Sequence, residues 1–185
     1  MKTNTLTPLA SQEPEAGPEA ETEAGLYFFT IYTHRQERRL GRVSRRGTRP
    51  SALGRTVEAH WHNLSRIFPD IRLDAFTLMP DRIHGIIEIE EGAPHGIAAI
   101  LRTFKSFSAR EINKLQQTPG NMIWQQAHDE RILHDAADLE KMQTHIMSAP
   151  ARWRDGRRQR LNPVSRRRSG AFLNWFLPSF LAAEH

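Results

Sequence analysis

The chain has 185 residues, enough for one domain with a substantial apolar core and a tail. It has no cysteine, which excludes disulfides and thiolate chemistry and suits a reducing compartment. No apolar run approaches the roughly 20 residues of a membrane span. The net charge is +5 and unevenly spread: residues 1–25 hold one Lys and five Glu, so the rest of the chain carries +9. A basic body with an acidic tail points to an anionic partner, most often nucleic acid.

In chain order, residues 1–25 are rich in Pro, Glu, Ala, Thr and Gly and read as a disordered acidic tail. They lack the basic-then-apolar pattern of a leader. The aromatic and β-branched run at 26–33 predicts a strand. Residues 34–49 hold His34 and seven Arg against one Glu and read as a charged loop, either solvated or in contact with phosphate. Leu53, Val57, Trp61, Leu64 and Phe68 recur at helical spacing, predicting a helix over 51–68. It contains His60-Trp61-His62, whose two histidines point about 200° apart on a helix and so cannot share a metal.

A strand is expected at 70–79 and another at 82–90, separated by Pro80-Asp81. A helix over 96–117 carries Ile97, Leu101, Phe104, Ile112 and Leu115 on one side. A short last strand is expected near 122–124 or 132–133. A helix over 137–148 buries Leu139, Met142 and Ile146, and Ala149-Pro150 stops it. Eight Arg follow between 151 and 168, then the apolar Ala171–Leu177, expected to dock on the domain or to pair with a second copy as a homodimer. The order predicts an α+β domain, an antiparallel sheet with helices on one side.

The strand at 82–90 organises the reading. Ile83, Gly85, Ile87 and Ile89 alternate with Arg82, His84, Ile86 and Glu88, so 82 and 84 project side by side from one face. Two histidines there would be a pair of imidazole ligands for a divalent metal. Together with Met79-Pro80-Asp81 before it, Ile83-His84-Gly85-Ile86-Ile87 resembles the metal-binding strand of the HUH nucleases. More narrowly, it resembles that of the REP-associated tyrosine transposases, relatives of the IS200/IS605 transposases. Tyr27–Ile31, Phe104-Lys105-Ser106, Ile112-Asn113, Trp124-Gln125 and Ile146–Trp153 follow the same family's order and spacing. The resemblance spans roughly residues 26–163.

The resemblance implies a ferredoxin-like sheet and an IS200-like transposase domain over 26–150, followed by an Arg-rich extension over 151–185. It implies a cytoplasmic, nucleoid-associated protein that nicks and rejoins single-stranded DNA at hairpin repeats. It also implies Mg or Mn as cofactor if a metal site survives, and a tyrosine that attacks the scissile phosphate. Carried over position by position, the first strand histidine falls on Arg82, which stays protonated and cannot ligate a metal. The second falls on His84, a remnant metal ligand. A Glu-His pair after Trp-Gln becomes Glu130-Arg131, with Glu130 as a candidate ligand. The nucleophile position holds His145, and the motif's Asn is Ala149. Arg82 and Arg131 are then cations at the old metal site, able to hold phosphate bidentately. Arg102 and Lys105 would add charge if they face the same groove.

Three functions are compatible with these residues: a DNA-binding protein with a silent nicking centre, an active transposase with a relocated nucleophile, and a protein-interaction module with incidental DNA binding.

Overall fold

The computed structural model describes residues 23–161. The acidic tail up to residue 22, the last part of the Arg-rich extension and the apolar Ala171–Leu177 lie outside the described residues. The elements are strand β1 (Gly25–Tyr32), a short 3-10 turn (His34–Gln36), strands β2 (Gly41–Ser44) and β3 (Gly47–Pro50), helix α1 (Ala52–Ile67), strands β4 (Ile71–Leu78) and β5 (Arg82–Ile89), helix α2 (Ile97–Gln116), strand β6 (Asp129–Leu133) and helix α3 (Ala136–Leu161).

Four strands form one antiparallel sheet in the order β4-β5-β1-β6. Setting aside the β2–β3 hairpin, the chain runs β-α-β-β-α-β through this sheet, the ferredoxin-like arrangement expected. One face carries Tyr27, Phe29 and Ile31 from β1 with Ile83, Ile87 and Ile89 from β5, and α1 and α2 close over it through Val57, Trp61, Leu64, Ile100, Leu101 and Phe104. Gly85 lies beneath this layer. A methyl at its Cα would meet the Phe29 ring at 2.7 Å and Trp61 at 3.0 Å, so the close fit of those rings requires glycine.

The expectation of helices on one side needs correction. Helix α3 covers the opposite face, where Ile86, Leu133, Met142 and Ile146 make a second, smaller core with Leu26 and Phe28. The alternation on β5 puts Ile86 among polar residues, and that apolar side chain needs a cover of its own. Gln143 ties α3 to the irregularity in β4, donating to Asp74 at 2.9 Å.

Three further expectations are revised. The segment expected as a loop over 34–49 instead holds a basic hairpin over 41–50, with Gly41 opposite Pro50 and Ser44 opposite Gly47. It is pinned to α1: Ser51 caps the helix by accepting from the Gly54 N–H and donates to the Arg39 carbonyl, while a Cβ on Gly54 would lie 2.0 Å from the Leu40 carbonyl oxygen. Leu115 is 55 % exposed, because the last turn of α2 runs past the core after Ile112. Helix α3 does not stop at Pro150 but continues to Leu161. The last strand is β6, and Trp124 also bridges to Thr33 at the same edge.

Candidate nucleic-acid interface

The register across the sheet fixes which side chains share the face under α3. Thr30 of β1 stands opposite His84 on one side and Asp129 on the other, and Tyr32 stands opposite Arg82. Registered partners project to the same face, so Arg82, His84, Thr30 and Tyr32 form one polar patch beside the Ile86 cluster. His84 is 8 % exposed rather than a surface residue, because α3 lies over it. Its Nδ1 is hydrogen-bonded to the Thr30 hydroxyl at 2.8 Å, and its ring stacks on Phe28 with centroids 5.9 Å apart.

His145 of α3 meets His84 edge to face at 5.7 Å, so the position that the resemblance gives to the nucleophile does sit on the strand histidine. Burial, then the neighbouring His145 and the guanidiniums of Arg82 and Arg152, push His84 down to about 3. His145 is lowered too, by burial and by Arg152. Both imidazoles are therefore neutral at pH 7.

Arg82 is held by its neighbour. Its Nε donates to the buried Asp81 carboxylate at 2.8 Å, and its guanidinium lies 4.9 Å from the Tyr32 ring and 5.4 Å from the Trp153 ring. Arg38, from the segment after β1, lies 5.2 Å from the same Trp153. The continuation of α3 past Pro150 brings Arg152 and Trp153 here, and Arg152 donates to the His145 carbonyl at 2.7 Å and to Ser148 Oγ. These groups line a cavity of about 400 Å³ with Arg35, Gln36, Arg38, Asp81 and Arg82. Arg38 also borders a second basic cavity of about 440 Å³, formed with Arg39, Arg42 and Arg49 of the hairpin. Sequence reasoning took Arg35, Arg38 and Arg152 only as members of two Arg runs that could contact phosphate, and it missed Trp153. The density of those runs was a signal, but only the path of α3 joins them.

Other expected site residues are not brought together. Glu130 registers with Phe29 and so belongs to the other face; it pairs with His128 at 3.0 Å. Arg131 is on the α3 face, opposite Phe28 rather than Thr30, and its guanidinium is paired to Asp138 at 3.1 Å. Arg102 and Lys105 belong to α2 and line a separate cavity of about 520 Å³ with Trp124, Gln125, Gln126 and His128. Lys105 donates to the carbonyl of Gln126 at 2.6 Å, and burial lowers its pKa.

The donor set does not fit a divalent cation. His84 and His145 offer two imidazoles from different elements, position 82 is a guanidinium, and among the described residues no three His, Asp or Glu side chains converge. What the patch can do is hold anions: guanidiniums supply paired N–H donors to phosphate oxygens, and the indole of Trp153 supplies planar surface.

No family model matches the chain. An uncharacterized protein of Haemophilus influenzae is 27 % identical over 149 residues, covering 70 % of this chain and 82 % of that one. Among solved structures, a REP-associated tyrosine transposase bound to a REP hairpin superposes with a TM-score of 0.55 at 18 % identity, over 70 % of this chain and 68 % of that one. No helix among the described residues is long and apolar enough to cross a membrane. The expected ferredoxin-like sheet is thus matched outside this molecule as well: the chain has the fold of a REP-associated tyrosine transposase.

Proposed function

We propose that this chain is a DNA-binding protein on a transposase fold, gripping single-stranded or hairpin DNA through phosphate and silent as a nicking enzyme. The observation that carries it is the guanidinium cluster of Arg35, Arg38, Arg82 and Arg152 around Trp153, beside His84 and His145. Where the resemblance puts a metal ligand and a phenol, this chain has a cation and a neutral imidazole. A guanidinium keeps affinity for phosphate without polarising it as a metal would. The hairpin-bound structural relative supports DNA as partner. On this reading the protein works on the nucleoid, and a homodimer would form through the apolar end.

The test is hairpin DNA binding with a salt titration, followed by incubation with Mn²⁺. Affinity falls steeply with salt as counterions are released, and no covalent protein–DNA adduct forms. An adduct would restore the reading as an active transposase with a relocated nucleophile. Tyr32, beside Arg82, is the phenol to test by Tyr32→Phe, although burial raises its pKa and disfavours phenoxide. The double variant Arg82→His, His145→Tyr returns an imidazole pair to one strand face and a phenol to α3. Arg82→His also releases the Asp81 carboxylate. Mn²⁺ affinity should rise with Arg82→His alone and nicking should need both changes. If Arg82→His gains no metal binding, the assignment of β5 as the metal strand is wrong.

A further inference from the structure

We propose that the Arg-lined cavity beside Trp153 is a pocket for a terminal phosphate monoester, the phosphorylated end of a DNA strand, rather than a passage for internal phosphodiesters. The inference rests on the DNA-binding reading above and specifies its ligand. Among the described residues four arginines line the cavity against one carboxylate, a balance of +3, and that carboxylate, Asp81, is already bound by Arg82. A phosphodiester brings one negative charge; a terminal monoester brings about two and three strong acceptor oxygens. The cavity therefore matches the monoester better in charge and in acceptor count.

Two further observations favour a built site over a casual cluster. Arg35 and Gln36, consecutive and non-glycine, both hold φ of 54° and both line the cavity. Left-handed backbone at two such residues in a row is costly and concentrates at functional sites. The indole N–H of Trp153, a residue that lines the cavity, is buried without an acceptor among the described residues. Arg38 and Arg82 both sit at cation–π distance from the Trp153 ring, which holds their charges in place without neutralising them.

The experiment compares one short single strand in four forms by fluorescence anisotropy: hydroxyl ends, a 5′ phosphate, a 3′ phosphate, and hydroxyl ends with one added nucleotide. The added nucleotide supplies an extra phosphodiester as a charge control. One phosphorylated end should bind about tenfold tighter than the hydroxyl strand, with the longer strand close to the hydroxyl one. The 5′ and 3′ arms decide which end is read. Arg152→Gln and Arg35→Gln should each bring the ratio to about one, while Arg46→Gln, on the exposed hairpin turn, should weaken all forms equally. The pocket is refuted if the longer strand gains as much as the phosphorylated one, or if the preference survives in both pocket variants. If no form binds at low salt, the DNA-binding reading itself fails; if all bind alike, only this inference does.

Discussion

The two faces of the sheet are built from the same strands and solve different problems. Under α1 and α2, Phe29, Ile31, Ile83, Ile87, Trp61 and Phe104 are each at most 2 % exposed, and the layer is apolar along most of its length. Under α3, the apolar cluster of Ile86 and Ile146 gives way over the next two register rows to Thr30 and His84, then Tyr32 and Arg82. One face invests its side chains in packing. The other leaves neutral imidazoles and guanidiniums against a helix, groups that add little to packing and whose paired donors suit anions. A fold can carry this second face only because the first holds the strands in register.

The largest way to break that division is through the packed face. Trp61→Ala should cost about 3–5 kcal/mol, with loss of the fold where the margin is thin, measured by denaturant unfolding. A Trp61→Ala protein of unchanged midpoint would show that the stability lies elsewhere.

The next effect belongs to the polar face. His84 is held at about 3 in the folded chain against 6.5 unfolded. Between these values the unfolded chain binds the extra proton, so stability present above pH 6.5 is lost as pH falls towards 3. The loss approaches about 1.4 kcal/mol per pH unit and totals on the order of a few kcal/mol. His145, lowered in the same direction, adds to it. Unfolding midpoints at a series of pH values should show His84→Gln with a flatter acid limb than the parent; equal slopes would mean that His84 is not buried as described.

Arg82→Gln sharpens the comparison from the binding side. It should weaken hairpin DNA about tenfold while also costing stability, because Asp81, 4 % exposed, loses its partner. Binding and unfolding measured on one preparation separate the two losses; unchanged DNA affinity would remove Arg82 from the interface. The smallest effect is expected at Glu130→Gln. That carboxylate sits on an exposed edge on the far side from His84, so stability should move by less than about 0.5 kcal/mol and DNA affinity should not fall. A marked change in DNA affinity would place the interface across both faces.

Much of the packed face was legible in the sequence, because period-two and helical spacing are written in apolar residues: Val57, Trp61 and Leu64 on α1, and Ile83, Ile87 and Ile89 on β5. The site was legible in part. His84 and His145 were paired by resemblance and do meet. Glu130 was misplaced because neighbours on a strand face opposite ways, and Arg131, on the same face as His84, joins the Phe28 row rather than the Thr30 row; only the register of β6 on β1 says which row each joins. The β2–β3 hairpin was hidden because its residues are mostly Arg, Gly and Ser, with no alternation to read. Helix α3 was cut short at Pro150 by a rule that describes the local cost correctly. The burial of Ala149 and the contacts of Trp153 with Arg38 and Arg82 outweigh that cost here.

That proline has a consequence for how the molecule opens. Without an N–H at position 150, the Ile146 carbonyl has no helical donor, and the ladder of α3 is interrupted midway. The turns before the break rest on Met142 and Ile146, which are part of a core; the turns after it rest on Trp153 and a few guanidiniums. Amide protons beyond residue 150 should therefore exchange with solvent through a cheap local opening, while those of residues 140–149 wait for a deeper one. A bound anion that engages Arg152 would slow the first group and leave the second untouched, making the distal half of α3 a reporter of occupancy that the rest of the fold does not feel.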